Sequence, residues 1–313
     1  MPPLCSRLNQ SYQDLLTLKE QFSAELEQAM ATGDFTALAL LKTEITEKKE
    51  TLERALCPSP EAAEAIMGKE YFLGPEAIQE TFGALPENIP PISFSRQELR
   101  EAKQRGELLV LQIDRLADGT PLTGKAIHER FGTQKGRKWF FYNVDEHIDK
   151  PFFDADTPEV CWKLVSLKML PDSKNKNYYE QTELLANHVK TLFANKSLPP
   201  LYQAALTEWE QSKGDILPLM NDENWQEAAQ RLADLKLTLL TRDSFIEKVY
   251  LMKLLNQTQG KNMLSDAYTW TKSRSSDGGL VSVGSFDAKG ADMYVSDPHD
   301  PYSTLGVSFS RSV

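Results

Sequence analysis

With 313 residues, 41% of them hydrophobic and 26% charged, the chain has enough apolar material to build a core without disulfides or metals, which excludes global disorder. The formal net charge of −10, from 35 basic and 45 acidic residues, excludes a general attraction to phosphate backbones, so no nucleic-acid partner is expected. Three widely spaced cysteines, Cys5, Cys57 and Cys161, make neither a disulfide framework nor a zinc pattern and suit a reducing compartment.

The first residues lack a basic segment followed by an apolar one, and no run approaches the roughly 18 apolar residues of a membrane span. The expectation is a protein that is cytoplasmic as synthesised, with later surface display left open and no membrane span. Over residues 1–60, Tyr12, Leu15, Leu18, Phe22, Leu26 and Ala29 recur at helical spacing, as do Leu38, Leu41, Ile45, Leu52 and Leu56. Between the two sets, Gly33 can end one helix and Asp34 can cap the next. This predicts an antiparallel helical hairpin whose stripe must bury against the body or against another subunit.

Cys57-Pro58-Ser59-Pro60 closes the hairpin, and a short helix fits Pro60 to Met67. Glycines and prolines punctuate the following residues, so 61–94 reads as a linker or extended wrap. Ser95 with Glu98 forms a capping box for a short helix. Leu108 to Ile113 is a continuous apolar run and reads as a strand buried on both faces. A turn at Asp118-Gly119-Thr120-Pro121 leads to a helix from Thr123 to Phe131. Trp139 to Tyr142 and Val160 to Leu167 are further strands. Asn177 with Glu180 opens a helix to about Ala194, and helices follow near 200–213, 223–240 and 244–257, the last capped by Ser244 and Glu247.

The composition changes at Ser265. Residues 265–313 include eleven Ser, six Asp and five Gly, with strands expected at Tyr268–Lys272, Leu280–Gly284 and Leu305–Ser310. Trp270, Leu280, Val281, Val283, Phe286, Leu305, Val307 and Phe309 can form the inner face of a small sheet.

Common catalytic patterns are missing. There is no phosphate-binding glycine loop and no nucleophile elbow, and His128, His147, His188 and His299 have no metal-ligand spacing. Asp297-Pro298-His299-Asp300 is the densest polar cluster; it reads as a proline-turned surface loop or as an acid–base or metal site. Asp145-Glu146-His147 is read in the same two ways. No cofactor is expected.

The segment from Tyr268 and Trp270 through Gly278-Gly279, ending on Gly306-Val307-Ser308-Phe309-Ser310-Arg311, resembles the C-terminal end of C-type-lectin-fold proteins of the formylglycine-generating-enzyme-like branch. Within that branch it is most similar to the variable proteins of diversity-generating retroelements. The resemblance covers roughly 45 residues of the tail and is topological over 95–264; the hairpin lies outside it. It implies an α+β fold, a C-type-lectin-like domain over 95–313 with helical insertions, in which the first strand, Leu108 to Ile113, pairs with the last, Leu305 to Ser310. It also implies a non-enzymatic ligand-binding protein that holds a protein or surface ligand. The positions it would vary are Lys272, Ser282, Ser285, Asp287, Lys289 and Asp292, then Tyr294, Ser296, Asp297, His299, Asp300, Tyr302 and Ser308, all projecting from one solvent-facing surface. Tyr supplies contact area in such a surface, and Ser and Asp supply adaptable hydrogen bonds. The tail has no cysteine, so the copper-bound thiols of formylglycine-generating enzymes have no counterpart, and the Glu-Pro-Asn and Trp-Asn-Asp signatures of calcium-dependent sugar binding are missing. The alternatives are a hydrolase or transferase using Asp297, His299 and Asp300, and a scaffold protein assembling through the N-terminal helices.

Overall fold

The computed structural model describes residues 4–45, 57–131, 133–134, 137–138, 140–141, 144, 147–194, 198–287 and 290–312. The chain divides into two compact units, Met1–Ile66 with Pro91–Arg100, and Met67–Pro90 with Glu101–Val313.

In the first unit, α1 (Leu4–Thr32) ends where Gly33 takes a φ of 75°, a conformation that costs a glycine little. Asp34 then accepts the Thr36 backbone N–H at 2.9 Å and starts α2 at residues 36–45, as expected. Of the predicted stripe, Leu18 and Ala29 are buried, Phe22, Leu38, Leu41 and Ile45 are half-buried, and Leu26 is 38% exposed. Leu52, Leu56 and the side chains of Tyr12 and Leu15 lie outside the described residues.

The segment read as a linker is built structure. It holds α3 (Pro60–Met67), β1 (Phe72–Leu73) and α4 (Pro75–Phe82), and Ile78 and Phe82 are fully buried. Pro60 and Pro75 start α3 and α4 at their first turns, where a missing N–H does no harm. Next come α5 (Arg96–Gln104), with its Ser95–Glu98 box formed at 3.2 and 2.9 Å, β2 (Glu107–Leu111) and α6 (Gly124–Phe131). A short ribbon pairs β3 (Thr133–Gln134) with β4 (Arg137–Lys138), and α7 (Pro151–Asp154) follows.

At its described residues the strand expected at 139–142 does not form. Phe140 sits in a bend and Phe141 makes a single bridge to Ala291, while Trp139 and Tyr142 lie outside the described residues. Both phenylalanines serve as packing: Phe141 lies within 6 Å of Phe153 and Phe245, and Phe140 is 5.1 Å from Phe286.

Beyond β5 (Trp162–Met169), α8 (Tyr178–Leu192) starts from the predicted Asn177–Glu180 capping box and leads to α9 (Pro200–Ile216). The helix expected at 223–240 is two, α10 (Trp225–Asp234) and α11 (Lys236–Thr241), because Leu235 at ψ 134° turns the chain between them. Then α12 (Phe245–Gln259) runs from the predicted Ser244–Glu247 box to a left-handed Gly260. The tail supplies β6 (Tyr268–Arg274), β7 (Leu280–Asp287), β8 (Gly290–Ser296), β9 (Leu305–Gly306) and β10 (Ser308–Arg311).

The fold is α+β with two four-stranded mixed sheets, ordered β1-β2-β5-β10 and β8-β7-β6-β9. The expected pairing of Leu108–Ile113 with the last strand is not made. β5 lies between them, antiparallel to β2 (Leu109 opposite Leu164) and antiparallel to β10 (Ser310 opposite Val165). Both runs are apolar enough for interior places and both take them, β2 between β1 and β5, and β5 between β2 and β10, so β2 has no free edge left for the last strand.

The eight apolar tail residues expected to face inward are all buried at 6% exposure or less. In the second unit α12 packs against α4, α6, α7 and the tail strands β6 and β7, and eleven of its residues, Phe245 to Leu255, are buried. Two of the three charged residues among them, Glu247 and Lys248, join an internal ion network. Lys163 on β5 meets Glu247 at 2.9 Å and Asp243 at 3.4 Å, and Lys248 meets Asp243 at 2.6 Å and donates to Ser308 Oγ on β10 at 2.8 Å. Lys272 reaches Glu247 at 3.2 Å from β6. Buried charges persist only with such partners.

Candidate functional site

The tail sheet positions its side chains by simple alternation. The register sets Ser282 opposite Tyr294, Leu280 opposite Ser296, and Gly284 opposite both Asp292 and Tyr268. Tyr268, Ser282, Asp292, Tyr294 and Ser296 therefore share one face, and Val281, Val283 and Met293 share the other, which is buried. Gly284 makes this possible. A side chain there would run into the Ala267 carbonyl and lie 2.6 Å from the Tyr268 Cα, so only glycine lets β6 close on β7. Just beyond it, Ser285 takes a φ of 47° where the β7–β8 register shifts, a bulge that turns the hairpin end outward.

On the polar face opens a cavity of about 340 Å³. Tyr268, Tyr294 and Tyr302 form its aromatic lining; Ser282, Ser296, Thr304 and Leu305 complete it. The Tyr268 and Tyr294 rings meet nearly edge to face, 5.3 Å apart at 63°. Beneath them Asp292, 1% exposed, accepts the Tyr268 hydroxyl at 3.0 Å and its neighbour's Met293 N–H at 2.9 Å. Tyr294 also bonds Asp292, and that bond, with some burial, pushes its phenol up to about 12. Tyr302 donates to Asp300 at 3.2 Å, and burial followed by the Asp300 charge raises its pKa too.

The Asp297–His299–Asp300 cluster stands next to this cavity. Its ligand atoms all lie within 4.8 Å of one another. His299 Nε2 is 3.1 Å from Asp222 Oδ1, on the loop before α10, and 3.6 Å from Asp300 Oδ1. Burial, together with the charges of Asp300, Asp222 and Asp277, raises the Asp297 pKa against the pull of His299. Donor atoms sharing one ion through bonds of about 2.1 Å sit roughly 3–3.5 Å apart, so side chains spread over as much as 4.8 Å would have to draw together to hold a divalent cation.

The thirteen expected surface positions divide. Ser282, Tyr294, Ser296 and Tyr302 line the cavity, and Asp297, His299 and Asp300 adjoin it. Ser285 and Asp287 lie at the bulge and hairpin end, the first half-buried and the second exposed. Three do not project into solvent as expected. Ser282 and Asp292 are buried at 2% and 1% because they form the floor beneath the tyrosines, and Ser308 at 3% because it bonds Lys248 in the core. Lys272 is half-buried and turned to Glu247. Lys289, Asp145 and Glu146 lie outside the described residues, and His147 is buried against Phe152.

Tyr268, Thr304 and Leu305 were not among the expected site residues, although the alternation from Trp270 places Tyr268 on the same face as Ser282. Asp222 carries no signal, since only folding brings it to His299. Compared with known proteins, the chain matches no family model, no curated protein and no solved structure.

Proposed function

We propose that the chain is a non-enzymatic ligand-binding protein presenting a diversified C-terminal surface on a C-type-lectin fold, in the manner of retroelement variable proteins. The observation that carries this reading is the tyrosine-lined cavity, four of whose lining residues are positions the resemblance singles out. It has the small, concave, mixed aromatic and polar character of a ligand site. A protein or surface ligand would seat on Tyr294 and Tyr302, which are 47% and 44% exposed.

The test is a screen of peptides and small molecules against isotopically labelled protein. Ligand-induced shifts are expected at Tyr268, Tyr294, Ser296 and Tyr302; hits that map consistently elsewhere would remove the tail from the binding role.

A second reading, a metal-assisted hydrolase or transferase, draws on the convergence of Asp297, His299 and Asp300. Titration with Zn²⁺ or Mn²⁺ separates it from the first: tight binding lost in His299→Ala would favour it, and no binding would end it.

A further inference from the structure

We infer that the tyrosine-lined cavity takes a cationic head group, the ammonium or guanidinium of a Lys or Arg side chain on a protein partner. The inference rests on the reading of the tail as a ligand surface and gives that surface a chemical preference.

The rings come first. Tyr268 and Tyr294 stand at 63° with centroids 5.3 Å apart, so they make two walls that are not parallel, and Tyr302 lines a third part of the opening. Aromatic faces carry the negative end of the ring quadrupole and attract a cation within about 6 Å. The hydroxyls come second. Tyr268 donates its proton to Asp292, Tyr294 bonds the same carboxylate, and Tyr302 donates to Asp300. Each phenol proton is thus committed to a carboxylate, which leaves the phenol oxygens as acceptors. An anion would find only the hydroxyls of Ser282, Ser296 and Thr304 as side-chain donors among the described lining residues.

The charges come third. None of the described lining residues is basic, and Asp292, Asp297 and Asp300 lie under or beside the opening. The upward pKa shifts of Tyr294, Tyr302 and Asp297 each include a contribution from these carboxylates and so report the same negative potential. The net charge of −10 draws basic partners at longer range. At about 340 Å³ the cavity is at the small end of ligand sites, suited to one side chain rather than an extended ligand.

The experiment titrates the full chain, followed by NMR, with the acetylated methylamides of lysine, arginine, norleucine and glutamate. Norleucine copies the lysine stem without its charge. The lysine and arginine amides are expected to bind with shifts at Tyr294 and Tyr302, and norleucine about tenfold more weakly or not at all. Tyr294→Leu and Tyr302→Leu, both at exposed positions, should each weaken the lysine amide by about tenfold while the thermal midpoint holds. Asp300→Asn should weaken it while leaving norleucine unchanged. Equal binding of norleucine, or preference for glutamate, would overturn the cation assignment and leave the ligand-surface reading intact. Absence of binding by all four amides up to their solubility would overturn both the assignment and the cavity's place in that reading.

Discussion

Two polar constellations touch the same C-terminal sheet and behave oppositely. Behind it, Lys163, Asp243, Glu247 and Lys248 have side chains at most 7% exposed and are paired on all sides. On its open face, Tyr294 and Tyr302 stand nearly half-exposed over carboxylates, with ring faces that no cation in the described structure covers. The difference shows how a polar residue divides between scaffold and site. A charge the fold has already neutralised holds strands and helix in register; an electron-rich face left open is available to something else.

The sharpest way to break this contrast is Lys248→Met. It leaves Asp243 in the core with Lys163 and the Ser310 hydroxyl but without its closest cation, and the expected loss is about 3–5 kcal/mol of stability in urea unfolding. A loss below about 1 kcal/mol, the range of exposed ion pairs, would mean that the internal network holds nothing together.

Acid probes the same network. Burial opposes ionisation of Asp243 and Glu247, but Lys248 and Lys163 beside the first, and Lys163 and Lys272 beside the second, outweigh it and hold both pKa values below the ordinary 3.8 and 4.5. Carboxylates with depressed folded pKa values contribute stability that is present above the unfolded pKa and lost as pH falls through the folded one. The urea midpoint should therefore fall as pH drops from about 5 towards 2, and less steeply in Glu247→Gln.

Between the constellations lies Gly284. Gly284→Ala pushes a methyl group into the backbone of Ala267 and Tyr268, neither of which can swing aside, and should cost about 1–3 kcal/mol. The smallest effect belongs to the open face: Tyr294→Leu and Tyr302→Leu should move stability by no more than about 0.5 kcal/mol. A larger loss would make these rings part of the core.

The sequence made some of this legible and hid the rest for physical reasons. The boxes at Ser95, Asn177 and Ser244 were readable because a cap is a local bargain between residues three apart. So were the buried faces of β6, β7 and β10, which carry large apolar residues at strand spacing. β8 was not, because Asp292, Tyr294 and Ser296 alternate with Ala291, Met293 and Val295 and read as a polar loop. That alternation is the pattern of a strand with one face open to the cavity. The ion network was hidden as well. Glu247 and Lys248 look like a solvated helix face until Lys163 arrives from β5, a long-range meeting that no local pattern encodes. Strand order was equally out of reach, since β2 and β5 are both apolar and only their edges decide which sits beside β10.

The most direct measurement of the role proposed for the tail, a diversified binding surface, is the tail sequence of close relatives. Changes should concentrate at Ser285, Asp287, Tyr294, Ser296, Asp297, His299, Asp300 and Tyr302, while Trp270, Gly284, Phe286 and Phe309 stay the same. Changes spread evenly over both sets would contradict it.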